Sequence, residues 1–129
     1  MGRSILDEAH IHPAIRDRIA NNRADIVREV QAAVAANSIL VVGMAQNPFP
    51  GRARTALEAN GIAYKYLQYG SYLSEWRRRT ALKMWTGWPT FPMVFVKGVL
   101  VGGASELSAL IASGEMAKML ATSRASAVI

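Results

Sequence analysis

The run from Gly87 to Gly103 constrains the fold more than any other part of this sequence. It contains two short apolar segments, Met93–Val96 and Val99–Val101, separated only by Lys97-Gly98. Two such segments joined by two residues, the second a glycine, are typical of a β-hairpin, because glycine readily takes the positive φ that the turn requires. The sequence therefore predicts two neighbouring antiparallel strands that end at Gly102-Gly103.

Two further strands precede this hairpin, and helical patterns lie between them. Ile39–Val42 is a continuous apolar run that suits a strand buried on both faces, and Ala63–Leu67 alternates as a strand does. Strands joined through a helix should be parallel. The prediction is an α/β chain with a mixed four-stranded sheet flanked by helices on both faces, the thioredoxin-like architecture. Its helices are predicted at 14–20, 25–37, 53–60, 74–85 and 115–120, with one more capped by Ser105.

Length and composition indicate a single globular domain. The chain has 129 residues, of which 51% are hydrophobic, and it has no apolar run of the ~18 residues that span a bilayer. Arg3, Asp7 and Glu8 interrupt the N-terminal segment, which is not the pattern of a secretory signal. We therefore expect a cytoplasmic protein that has no membrane partner.

The positive charge is concentrated in the middle of the chain. Between Arg52 and Lys83 there are seven basic and two acidic residues, which accounts for five of the net +6 charges. Such a cluster predicts an anionic ligand or an acidic protein partner at the basic face Arg52–Lys83, and a solvated helix face is the alternative. We do not expect nucleic acid as the partner.

Several motifs resemble those of one family. Trp88-Pro89-Thr90-Phe91-Pro92, with the hairpin and Gly102-Gly103 after it, resembles the second half of a monothiol glutaredoxin. Upstream, Asn47-Pro48-Phe49-Pro50 stands where this family has C-P-Y-C or C-G-F-S at the start of a helix. Pro48 and Phe49 match the dithiol form, whereas Asn47 and Pro50 occupy the two cysteine positions. The chain contains no cysteine at all.

The resemblance implies a domain organisation. It covers residues 25–120, which are therefore the glutaredoxin-like domain. Residues 1–24 are predicted to be an N-terminal helical extension, and residues 121–129 a frayed tail.

The resemblance also implies where glutathione would bind. In this family the bond before the second proline, here Pro92, is cis, and the backbone of the preceding Phe91 pairs with the cysteinyl part of glutathione. The helix start near Ser105 would hold the γ-glutamyl carboxylate, and Arg79 at the rim would contact the glycyl carboxylate. The predicted glutathione-binding residues are Asn47, Phe49, Arg79, Thr90, Phe91, Pro92, Gly103 and Ser105.

The missing thiol limits the chemistry. Thiol–disulfide exchange needs a thiolate, and an amide such as that of Asn47 is not a nucleophile. A [2Fe–2S] cluster held between two protomers would lack its protein ligand, so we do not expect one. His10 and His12 have no acidic or thiol partner placed with them, so we expect no metal site there.

The leading hypothesis is a non-redox glutaredoxin-like protein that binds glutathione, a related thiol peptide or a protein partner in the ancestral cleft. One alternative is an oxidoreductase, or a cluster-related monothiol glutaredoxin, whose thiol comes from glutathione or a partner chain. Another is that a cysteine has been replaced in this sequence. Changing Asn47 alone would restore a monothiol form, whereas a dithiol form would also need Pro50 to change.

Overall fold

The computed structural model describes residues 2–121, and it contains a four-stranded mixed sheet with helices on both faces. A short 3₁₀ helix, Glu8–His10, precedes the regular elements. In chain order these are α1 (Pro13–Ala20), α2 (Ala24–Ala36), β1 (Ile39–Gly43), α3 (Pro48–Ala59), β2 (Lys65–Gln68), α4 (Trp76–Thr86), β3 (Met93–Val96), β4 (Val99–Gly102), α5 (Ala104–Ser113) and α6 (Glu115–Ala121).

The sheet has the predicted connections. Its strand order is β2-β1-β3-β4, in which β1 and β2 are parallel while β3 is antiparallel to both β1 and β4. Lys97 and Gly98 form the hairpin turn, and both have positive φ values, 51° and 84°. The thioredoxin-like fold expected from the sequence is confirmed.

Two apolar layers hold the helices against the sheet. On one face α2 and α4 pack on side chains such as Leu40 and Val42, and on the other face α3, α5 and α6 pack on Ile39 and Val41. All five residues of β1 are buried, as expected for a strand covered on both faces. These two layers fix the helices on the sheet, and with them the end of the sheet at which β1 and β4 lead into α3 and α5.

A polar contact joins α2 to the segment that leads into α4. The Tyr69 hydroxyl donates a hydrogen bond to Glu29, and Arg78 lies 3.8 Å from the same carboxylate. Burial, followed by the hydrogen bond to Glu29, raises the pKa of Tyr69 well above its usual value. Tyr69 therefore stays protonated and keeps donating over the ordinary pH range.

Two helix starts differ from the sequence prediction. Helix α3 begins at Pro48 and not at Ala53, because prolines are tolerated in a first helical turn, where the N–H groups have no intrahelical partner. Helix α4 begins at Trp76, whose preceding residue Glu75 has a φ of 64°. Ser74 does not cap α4; its hydroxyl accepts a hydrogen bond from the Ser71 N–H.

Helix α4 packs on the core through its later turns and not through its first residue. Leu82 is fully buried and Trp85 packs against the core, but Trp76 is 57% exposed. Trp76 is the first residue of α4, and its ring contacts the Arg77 guanidinium and not the core.

The N-terminal segment contains the expected helix. Pro13 is the first residue of α1, and the His12 Nδ1 atom accepts a hydrogen bond from the Ala14 N–H. His12 therefore caps a helix. Except for Ala121, the tail predicted to fray lies outside the described residues. None of the helices within 2–121 is both long and apolar enough to cross a bilayer.

Candidate functional site

Four chain segments meet at one edge of the sheet. The parallel strands β1 and β2 both end there, the antiparallel strand β3 starts there, and β4 ends there. The loop after β1 leads into α3, the segment 88–92 leads into β3, and Gly103 leads into α5. Segments predicted separately from the sequence are thus brought together by the topology.

Asn47 lies at the position of the family's first cysteine, and both ends of its amide are in use. Its Oδ1 atom accepts a hydrogen bond of 2.9 Å from the Phe49 N–H, which caps α3. Its Nδ2 atom donates to the Phe91 carbonyl oxygen at 3.3 Å. Asn47 therefore bridges the start of α3 and the residue before Pro92, and it occupies a backbone acceptor that the resemblance assigns to glutathione.

Pro50 lies at the second cysteine position and is buried in the packing of α3 on β1. A Cβ atom added to Gly43 would lie 2.7 Å from Pro50 Cβ, so only glycine fits at the end of that strand. The pyrrolidine ring has no polar atom that could take part in catalysis. This position serves packing in the present chain.

Most of the predicted glutathione-binding residues line one pocket of about 290 Å³. The Phe91–Pro92 peptide bond is cis, as predicted. Phe91 itself is 4% exposed and belongs to the core, whereas Phe49 is 44% exposed at the pocket mouth. The lining residues are Phe49, Trp88, Thr90, Phe91, Pro92, Gly103, Ala104, Ser105 and Glu106.

One wall of this pocket contains an unpaired donor. The indole Nε1 of Trp88 is buried and has no hydrogen-bond partner among residues 2–121. A Cβ atom on Gly103 would lie 3.7 Å from it, so the indole N–H is close to the start of α5. A buried donor without a partner costs about 1–3 kcal/mol, and Nε1 has almost no surface open to the pocket, so a ligand would pair with it only if neighbouring groups moved.

The start of α5 differs from the prediction in two ways. Gly103, and not Ser105, precedes the first helical residue, and Ser105 is an exposed residue of the first turn. The Glu106 carboxylate accepts a hydrogen bond of 2.9 Å from the Gly103 N–H. This carboxylate places negative charge where the resemblance places the γ-glutamyl carboxylate.

Arg79 does not lie at the rim of the pocket, which corrects the prediction of its position. Its side chain is buried, with 7% exposure, and Nη1 donates to the carbonyl oxygens of Tyr69, at 3.0 Å, and of Ser74. The sequence could not show this, because the loop that folds over Arg79 has no pattern that predicts its path. In the structure the guanidinium holds that loop.

Two other cations approach the aromatic residues of the pocket. The Arg52 guanidinium lies 4.8 Å from the centre of the Phe49 ring, and the Lys83 ammonium lies 5.8 Å from the centre of the Phe91 ring. The basic residues 52–83 do not form one free basic face, since Arg79 is buried and Arg78 pairs with Glu75 at 2.8 Å. Arg52 and Lys83 remain available near the pocket.

The side chains at this edge do not fit a [2Fe–2S] cluster. The residue at the thiolate position is an amide with both ends hydrogen-bonded, and the chain has no cysteine. Within residues 2–121 no group of three or more His, Asp or Glu side chains is arranged to hold a metal ion. The groups that this edge presents are apolar surface, hydrogen-bonding atoms and charge, and none of them is a thiolate.

Comparisons with known proteins agree with this arrangement. A model of the glutaredoxin family matches residues 39–101. A glutaredoxin-like protein of Dictyostelium discoideum is 44% identical over 92 residues, which cover 71% of this chain and 75% of that protein. The chain belongs to the glutaredoxin family.

Two further likenesses support the same assignment. A probable monothiol glutaredoxin of Legionella pneumophila is 35% identical over 60% of this chain and 83% of its own length. The crystal structure of oxidized glutaredoxin 2 from Chlamydomonas reinhardtii superimposes with a TM-score of 0.67 at 27% identity, covering 77% of this chain and 94% of the other. The present chain is thus a glutaredoxin-like protein without a cysteine.

Five residues of the site were not among the predicted binding residues: Trp88, Ala104 and Glu106, which line the pocket, and Arg52 and Lys83, which lie beside it. Glu106 could have been predicted from the sequence. It stands three residues after Gly103, the residue before the helix, and a glutamate at that spacing often accepts a hydrogen bond from the N–H of the capping residue. Arg52 and Lys83 were counted in the basic cluster, but their positions over Phe49 and Phe91 depend on tertiary packing. No local spacing rule predicts such contacts.

Proposed function

We propose that this chain is a non-redox member of the glutaredoxin family that uses the pocket beside Pro92 to bind glutathione or a related thiol peptide. The supporting observation is the pocket itself. It combines the cis-proline segment, the start of α5 and the Phe49 ring in one cavity of about 290 Å³. A cavity of this size with a few convergent polar groups is typical of a small-ligand site.

Binding would use the groups that remain free. The first N–H groups of α5 suit a carboxylate of the peptide. Lys83 or Arg52 supplies the positive charge for the glycyl carboxylate. Arg79 does not supply it, because its guanidinium is hydrogen-bonded to the loop before α4. These groups account for recognition without any covalent step.

The affinity should be low. The Glu106 carboxylate repels a second carboxylate at the start of α5, and Asn47 already donates to the Phe91 carbonyl. Losing one charge-assisted hydrogen bond costs about 1.5–3 kcal/mol, which is roughly tenfold or more in affinity. We therefore expect a dissociation constant on the order of millimolar for glutathione.

Two measurements on the purified chain test the proposal. With glutathione and a mixed disulfide as substrate, we expect no more turnover than a heat-killed control gives. The reason is that no side chain of this protein can supply the thiolate that attacks the disulfide. Turnover above that control would favour the alternative in which glutathione or a partner chain supplies the thiol.

The second measurement is the affinity for glutathione in a matched pair of variants. A Cβ on Gly103 would sit at 3.4–3.7 Å from its neighbours, so Gly103→Ala fits and narrows the pocket. Gly51 in α3 has nothing within 4 Å, and Gly51→Ala serves as the control. We expect only Gly103→Ala to weaken binding. Equal affinities in both variants would place the ligand elsewhere.

A further inference from the structure

A cluster of exposed apolar side chains lies outside the pocket, on the segment that joins β2 to α4. Tyr72 is 61% exposed, Leu73 is 91% exposed and Trp76 is 57% exposed. Single exposed apolar residues are common on protein surfaces, but three large ones within five positions of the chain are unusual. We call these three residues the 72–76 patch. Aromatic side chains of this kind supply much of the binding energy at protein interfaces.

The backbone that presents the patch is held in place. The buried Arg79 guanidinium donates to the carbonyl oxygens of Tyr69 and Ser74, which flank the patch residues Tyr72 and Leu73. Ser71 and Ser74 exchange further hydrogen bonds across the turn, including Ser71 N to Ser74 Oγ at 3.1 Å. A loop ordered before binding loses less conformational entropy when a partner docks.

The charge beside the patch indicates what kind of partner fits. The Arg77 guanidinium lies 5.1 Å from the centre of the Trp76 ring, and within residues 2–121 no carboxylate pairs with it. Arg78, in contrast, is paired with Glu75 at 2.8 Å. The chain as a whole has a net charge of +6. An acidic partner is therefore favoured both at long range and at Arg77.

We propose that the 72–76 patch and Arg77 form a docking surface for a protein segment that combines apolar and acidic side chains. The apolar side chains of the partner cover Leu73 and Trp76, and a carboxylate pairs with Arg77. Arg79 has a positioning role, because it holds the loop without touching the partner.

This surface is separate from the pocket, although both lie at the same edge of the sheet. The Ala45 N–H donates to the Gly70 carbonyl oxygen at 2.7 Å, which ties the loop after β1 to the loop after β2. None of the patch residues lines the pocket. The two sites share no residue, so each can be tested with variants that leave the other intact.

The test selects peptides from a phage-displayed library of random linear peptides against the full chain. We expect the selected peptides to contain both acidic and apolar residues. Resynthesised peptides should bind Leu73→Asp and Arg77→Glu roughly tenfold more weakly or worse, as measured by fluorescence anisotropy. The same variants should keep the glutathione affinity of the unmodified chain.

Leu6→Asp is the matched control, because Leu6 is also a surface leucine, 66% exposed, but lies in the N-terminal segment. It should bind the selected peptides normally, and circular dichroism should show all three variants folded. Selection of no peptide family, of peptides without acidic residues, or of peptides that bind Leu73→Asp normally would overturn the proposal. Sedimentation that shows a dimer abolished by Leu73→Asp would also overturn it, because the occupant would then be a second copy.

Discussion

At the scale of single residues, one side chain decides which chemistry the edge can perform. Asn47 caps α3 and donates to Phe91, so the amide contributes to structure at the place where the family has its nucleophile. A thiol at the start of a helix is acidified by the helix dipole and becomes a better nucleophile at neutral pH. The helix start that would acidify such a thiol is present in this chain, but the thiol is not.

Asn47→Cys should therefore produce glutathione-dependent reduction of a mixed disulfide, an activity that we do not expect from the unmodified chain. Losing the asparagine cap should cost about 0.5–2 kcal/mol of stability, which a folded domain tolerates. Asn60→Cys is the control, because Asn60 lies at the other end of the same helix. If Asn47→Cys is folded but no more active than Asn60→Cys, then the missing thiol is not the sole reason why this site cannot reduce a disulfide.

Glu106 is the residue that most directly opposes an anionic ligand. Glu106→Gln keeps an oxygen that can accept from the Gly103 N–H and removes the negative charge at the start of α5. A charge at a helix end is worth about 0.3–1 kcal/mol, so glutathione should bind roughly two- to fivefold more tightly. Titration calorimetry measures this, and unchanged or weaker binding would show that the γ-glutamyl end lies elsewhere.

At the scale of elements, the loop between β2 and α4 depends on Arg79. Both hydrogen bonds of its Nη1 atom go to carbonyl oxygens of this loop, and the side chain is buried. We expect Arg79→Ala to lower the free energy of unfolding by roughly 2–4 kcal/mol in urea denaturation, because two backbone acceptors lose a charged donor. Arg77, the exposed neighbour of Arg79, provides the control. Arg77→Ala should change the free energy of unfolding by about 0.5 kcal/mol or less. Equal effects of the two variants would mean that Arg79 does not anchor the loop.

At the scale of the whole molecule, local signals predicted the sheet, whereas most of the pocket was predicted only through the family resemblance. The Lys97-Gly98 turn defines one hairpin, and the run before Pro92 is distinctive enough to imply a family. The prediction that Arg79 lies at the rim of the pocket was wrong. Motif spacing indicates which residue corresponds to a ligand contact in the family, but it does not show whether a loop covers that residue. Ser105 was taken for the helix cap because serine usually caps, whereas the backbone of Gly103 serves here with Glu106.

The most direct test of the central claim is a glutathione titration followed by the backbone amide resonances of the uniformly ¹⁵N-labelled chain. We predict saturable shifts, with a midpoint on the order of millimolar, at Phe91, Gly103 and Ser105. Amides in α1 and α6, away from the pocket, should stay in place. If saturating glutathione shifts none of these three resonances, the pocket does not bind glutathione and the proposed function is contradicted.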